Sequence, residues 1–96
     1  MKKKYIATFE FISGEYGQIF YKVFESTEKG IEPEIEDWLR NYYGAPDEVE
    51  VDGNRYNYGD VGVKYHGKEE LTNTAQLLNK LSANFHTKGN VIYSNG

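Results

Sequence analysis

A pattern that occurs twice constrains this chain most: two runs of aromatic or β-branched residues followed by a stretch whose apolar residues recur at helical spacing. The first copy occupies residues 5–43 and the second residues 48–85. A strand shows its apolar side chains with a period of two and a helix with a period of about 3.6, so the order of elements is legible before any contact is known. The ββα-ββα(β) order predicts an α+β fold of two layers, an antiparallel sheet of four to five strands with two helices on one face. A chain of 96 residues has the length of a single domain. One domain over 1–96 is therefore expected, with an added edge strand at 90–93. The halves agree in element order but not residue by residue.

Local signals place the elements. Tyr5–Ile12 and Gln18–Phe24 flank Ser13-Gly14-Glu15-Tyr16-Gly17, and two glycines in a short connector supply the positive φ that a hairpin turn needs. Apolar residues occur on both faces of this hairpin: Tyr5, Ala7, Phe9 and Phe11 on one, Ile6 and Ile12 on the other. A sheet covered on one side only would alternate more cleanly. Ile31, Ile35, Trp38, Leu39 and Tyr42 form one helical stripe, with Pro33 at the start, Glu34, Glu36 and Asp37 near the positive end of the helix dipole, and Gly44 and Pro46 as a stop. These acids lie off the stripe and are expected to face solvent. In the second half, Asp52-Gly53 is a hairpin signal between main strands at 48–52 and 60–66, with 55–58 paired or bulged between them. Leu71, Ala75, Leu78, Leu81 and Phe85 predict a second helix over Glu70–Phe85.

Charge narrows the function classes. The net charge of −4 conceals an uneven distribution: from Glu28 to Asp52 nine carboxylates face only Lys29 and Arg40. A basic face that displaces counterions from phosphates is the usual mark of nucleic-acid binders, so direct nucleic-acid binding is disfavoured. The absence of Cys excludes disulfides, thiolate metal sites and cysteine nucleophiles, and agrees with a reducing compartment. Met1-Lys2-Lys3-Lys4 is followed by an alternating run containing Thr8 and Glu10 instead of the apolar core of a signal peptide, and nothing is long enough to span a membrane. A soluble, cytoplasmic protein is expected.

No motif rises to a catalytic or metal-binding signature. Counting an EF-hand from Asp52 puts Tyr56 at the fifth position and Val63 at the twelfth, where oxygen ligands belong. His66 and His86 lack the spacing of a zinc pair, and no serine sits in a triad context. Gly14–Gly17 and Gly59–Gly62 are Gly-x-x-Gly segments, but both adjoin strands and lack the basic surroundings of a nucleic-acid clamp. Glu10, mid-strand among aromatics, is a candidate acid or base only if it is buried. No cofactor and no metal ligand is predicted.

The expected function is a non-enzymatic protein-binding module whose partner carries a basic surface. Its candidate binding residues are Glu34, Glu36, Asp37, Asp47, Glu48, Glu50 and Asp52, with Tyr43, Tyr56 and Tyr58. Nine tyrosines exceed what a small core requires, and Tyr combines large contact area with a hydrogen-bonding tip. In composition the chain is similar to small acidic phage and mobile-element inhibitors that occupy basic grooves on host proteins. The alternatives are nucleic-acid stacking on strand aromatics, a ligand-binding or enzymatic cleft between sheet and helices using Glu10, Tyr21, Tyr65 or His66, and homodimerisation through an edge strand. No membrane partner is expected.

Overall fold

The computed structural model describes residues 1–50, 54–73, 75–76, 85–88 and 91–94. They form an α+β structure of seven strands and one helix: β1 (Lys3–Ser13), β2 (Tyr16–Ser26), α1 (Ile31–Tyr43), β3 (Glu48–Glu50), β4 (Arg55–Tyr58), β5 (Val61–Glu70), β6 (Phe85–Lys88) and β7 (Val91–Ser94). The strands make one sheet in the order β3-β4-β5-β1-β2-β7-β6, with every neighbouring pair antiparallel. The sheet has seven strands where four to five are expected: the expected ones correspond to β1, β2, β3, β5 and β7, and β4 and β6 are additional. The hairpin β6–β7 extends the sheet beside β2, so the strand expected at 90–93 is present but β6, not β7, is the edge.

The first hairpin is tighter than its glycines suggest. Ser13 pairs with Tyr16 across a two-residue turn, Gly14-Glu15, and Gly14 carries the positive φ of 60°. Gly17 is a strand residue. Odd-numbered residues of β1 face α1, where Tyr5, Ala7 and Phe9 meet Phe20, Phe24 and Val63 from the flanking strands and Ile31, Ile35 and Leu39 from the helix. Phe9 lies at the centre, its ring 5.1 Å from Phe20, 5.3 Å from Trp38 and 5.5 Å from Tyr65. Ile6 points to the opposite face and is also fully buried, which accounts for the two-sided apolar pattern of β1.

Helix α1 starts two residues before Pro33, so the proline stands in the first turn, where its missing N–H costs no helical bond. Gly30 closes a turn onto Thr27, its N–H reaching Thr27 Oγ1 at 2.9 Å. Gly44, at φ 89°, ends the helix as expected.

The second half departs from the prediction in two ways. Residues 55–58 form a full strand between β3 and β5, which makes the repeat βββ here. The second helix does not have the bounds Glu70–Phe85: Glu70 closes β5 and Phe85 opens β6, and the described residues contain one helix, α1, of the two expected. Of the intervening stretch, the described residues 71–73 are not helical and only Ala75 and Gln76 are, while Thr74 and residues 77–84 lie outside the described residues. Strand β5 runs on because a bulge between the Thr8–Gly67 and Phe9–Tyr65 pairs re-registers it, letting Lys68, Glu69 and Glu70 continue along β1. Leu71 N–H then bonds Lys4 C=O at 2.8 Å. Gly67 has φ 110°, a conformation open to glycine and strained for other residues, so His66-Gly67 permits the bulge. The Asp52-Gly53 turn lies outside the described residues.

Candidate interaction surface

Three flanks of α1 have distinct chemistry. On the flank over β5 and β4, Glu32 accepts hydrogen bonds from the Tyr65 hydroxyl at 3.3 Å and from the Lys68 ammonium. One turn on, Glu36 pairs with Arg40 at 3.3 Å above Tyr56. On the flank over β2, Glu34 lies near Lys22, whose ammonium sits over the Phe24 ring at 4.7 Å and the Trp38 ring at 5.6 Å. Burial lowers the Lys22 pKa, with Glu34 opposing that shift. Asp37 is exposed on the outer surface of the helix.

An aromatic seam continues beneath the C-terminal half of α1. Trp38 contacts Tyr42 at 5.1 Å, Tyr42 meets Tyr43 edge-on at 4.8 Å, and Tyr43 bridges to Tyr58 at 5.6 Å and Phe11 at 6.4 Å. Phe11, Gln18, Tyr42 and Tyr43 line a cleft of about 240 Å³ at the end of the helix. Tyr42 and Tyr16 are 42% and 57% exposed, so aromatic surface reaches solvent at this end of the molecule.

The candidate residues named from sequence divide between the two faces of the sheet. Glu34, Glu36 and Asp37 are exposed on α1, and Tyr43, Tyr56 and Tyr58 pack half-buried against the core on the same side. Glu48 and Glu50 pair in register with Asn57 and Arg55, which alternate with Tyr56 and Tyr58 and so belong to the opposite face. Glu50 accepts from Asn57 Nδ2 at 2.8 Å and lies 3.7 Å from Arg55 Nε. Asp47 is held locally, its carboxylate accepting the Gly59 N–H at 2.7 Å. Asp52 lies outside the described residues. The acidic segment therefore does not build one continuous array: the helix acids and the strand acids point opposite ways.

Sequence spacing did not reveal two pairings. Glu32 stands two positions before Glu34, the first of the acids singled out, and its link to Tyr65 and Lys68 depends on where β5 docks. Glu10 and His66 meet across the bulge on the face opposite α1, with His66 Nε2 3.0 Å from Glu10 Oε1. Both side chains are about one-third exposed, and Thr8, Gly67, Lys68 and Glu69 complete a shallow polar depression beside His66. The Gly following His66 within a strand was the available signal for the bulge. Tyr65, proposed with His66 as part of one cleft, faces α1 instead.

The chain matches no protein-family model, no curated protein and no solved structure. Among the described residues no helix is long and apolar enough to cross a membrane, and no group of three or more acidic or histidine side chains converges as a metal site.

Burial, and then the adjacent Glu32 carboxylate, push the Tyr65 hydroxyl well above the ordinary tyrosine range, and burial raises Tyr56 and Tyr58 as well. A group whose folded pKa is raised contributes stability that is complete below its unfolded value, near 10, and is lost as pH rises beyond it. Lys22, with its pKa lowered, acts in the opposite sense in that window, whereas Lys3, raised by its contact with Glu70, acts in the same sense as the three tyrosines. Stability is expected to fall above about pH 10, and Tyr65→Phe to fall less steeply than the parent protein. Urea midpoints measured from pH 8 to 11.5 check this; parallel curves for the two proteins would remove Tyr65 from the account.

Proposed function

We propose that this protein is a non-enzymatic binding module that engages a partner protein with a basic surface through the outer face of α1. The observation that carries this reading is the arrangement around the helix. Glu34, Glu36 and Asp37 are exposed along it, and Trp38, Tyr42 and Tyr43 give aromatic area at its C-terminal end. Interfaces favour this combination, an aromatic anchor with a charged rim that selects the partner and speeds encounter. Three cations on the same side of the sheet are engaged within the chain: Lys22 on Phe24 and Trp38, Arg40 on Glu36, and Lys68 on Glu32. Glu34 and Asp37, exposed on the helix, supply the negative charge that a basic partner would meet. Inhibition of a host protein by occupying a basic groove, as small acidic phage and mobile-element products do, is the specific form of this activity we favour.

Because the acids divide between two faces, two charge-reversed variants separate the alternatives. Glu34→Lys with Asp37→Lys alters the α1 face, and Glu48→Lys alters the opposite face. Affinity for a basic partner, represented by an oligo-arginine peptide at low salt, is expected to drop about tenfold or more in the first variant and to change little in the second. Because Glu48→Lys carries half the charge change of the double variant, a loss in it of half or more of the logarithmic affinity change would mean attraction by net charge without a defined surface. Neither reversal is expected to shift stability by more than about 0.5 kcal/mol, since all three side chains are exposed.

A further inference from the structure

The bulge in β5 decides which side of the sheet Lys68 faces. Tyr65 lies opposite Phe9 and points to α1, and strict alternation from it would send Lys68, three residues on, to the far face. The extra residue at the bulge restores the α1 side, where Lys68 lies opposite Ala7. Two donors from one strand thereby reach one acid of the helix: the Tyr65 hydroxyl and the Lys68 ammonium both bond Glu32 Oε1. Glu32 Oε2 has no partner among the described residues, and the Glu32 side chain is 53% exposed.

This ion pair differs from the other two engaged cations of the same face. Arg40 and Glu36 stand four residues apart on α1, so their pair is internal to the helix. Lys22 lies over the Phe24 and Trp38 rings. Lys68 and Glu32 belong to different elements, and Lys68 keeps 27% of its side chain in solvent. A pair this exposed is weak, and an ammonium is a point charge that here engages one oxygen. A guanidinium presents a planar fork of donors that matches both oxygens of a carboxylate. Glu32 therefore holds an arginine better than it holds Lys68. The lysine can swing aside by rotating its side chain while its backbone stays paired in β5.

We infer that Glu32 is the point at which α1 binds an arginine of the protein partner, and that Lys68 occupies this point in the free protein as an internal competitor. The arginine displaces Lys68 and takes the carboxylate by both oxygens, while the Tyr65 hydroxyl keeps the carboxylate oriented. Glu34 and Asp37 attract the basic partner, and Glu32 selects arginine over lysine. This inference rests on the proposed binding function and specifies its central contact.

The test measures the affinity of an oligo-arginine peptide, and of an oligo-lysine peptide of equal length, for the full chain and its variants. At about 0.15 M salt, exposed charges more than about 8 Å apart are largely screened from each other. Lys68→Met is expected to raise the arginine affinity about threefold, the size of effect an exposed pair allows. Lys4→Met removes the same charge from an exposed position on the far face, beside Ile6, and is expected to change affinity by less than about 1.5-fold. In a Glu32→Gln background the gain from Lys68→Met is expected to vanish, because the competitor then has no acid to occupy. The parent is expected to prefer the arginine peptide, and Glu32→Gln to reduce that preference. Equal gains from Lys68→Met and Lys4→Met, or a gain that survives Glu32→Gln, would overturn the competitor. A preference for arginine untouched by Glu32→Gln would overturn the arginine assignment. If the arginine peptide binds and is lost on charge reversal of Glu34 and Asp37, yet neither Glu32→Gln nor Lys68→Met alters it, the Glu32 contact is refuted and the acidic face stands. If it binds neither the parent nor any variant, both are refuted.

Discussion

Replacing Phe9 by Ala is expected to lower the unfolding free energy by about 3–5 kcal/mol, a large fraction of the roughly 5–15 kcal/mol that holds a domain folded. Phe9 is fully buried on the central strand, where the rings of Phe20, Trp38 and Tyr65 surround it within 5.5 Å. Loss of the ring removes apolar burial and leaves a cavity between sheet and helix. The cost of a cavity depends on how far its walls can close. Here Phe20 is locked by pairing opposite Phe9 in β2, and Trp38 is held from below by Phe24 and from above by Tyr42. Rigid planar neighbours fixed on two elements cannot move into the space without giving up their own contacts, so the upper part of the range applies. Urea unfolding followed by Trp38 fluorescence measures the loss directly. A loss under about 1 kcal/mol would show that the cavity collapses and that the aromatic seam is more plastic than its geometry implies.

The same seam shows what the sequence could and could not specify. The stripe Ile31, Ile35, Leu39 was readable because a helix repeats its buried face from purely local geometry, and all three residues are buried. The first hairpin was readable for a similar reason, since Gly14 sits between two alternating runs. Failure began where pairing was long-range. Nothing local distinguishes Lys68, Glu69 and Glu70 as strand residues; they extend because β1 offers them backbone partners at Ala7, Ile6 and Tyr5. Leu71 and Ala75 have helical spacing in the sequence, although Leu71 follows directly on Glu70, the last residue of β5. Gln76 N–H reaches Asn73 Oδ1 at 3.3 Å while Asn73 N–H reaches Gln76 Oε1 at 3.1 Å, a reciprocal pair of the capping-box kind that lies three residues after the end of β5. The candidate binding residues met a related limit. Proximity in sequence joined Glu34 to Glu50 in one acidic segment, but β3 alternates, and alternation in a strand sends every second side chain to the far face. Tyr43, Tyr56 and Tyr58 were chosen for composition, and it is sheet register that brings Tyr58 beside Tyr43.

Tyr58→Phe is expected to stabilise the protein, by up to about 1–3 kcal/mol, which reverses the usual sign for removing a tyrosine hydroxyl. The Tyr58 hydroxyl is buried and has no hydrogen-bond partner among the described residues. A buried polar group without a partner has lost its hydration and gained nothing in exchange, so its removal recovers that desolvation cost. The ring itself contributes through Tyr43, 5.6 Å away, and phenylalanine keeps that contact. Tyr65→Phe supplies the contrast at neutral pH, because its hydroxyl donates to Glu32 at 3.3 Å and its loss is expected to cost about 0.5–1.5 kcal/mol. Thermal or urea unfolding of the two variants at pH 7 should therefore move in opposite directions from the parent. If Tyr58→Phe is destabilising by as much as Tyr65→Phe, the Tyr58 hydroxyl is bonded in solution. The wall of the seam nearest Tyr43 would then be held by a polar contact as well as by packing, and its rings would owe their orientation in part to that hydrogen bond.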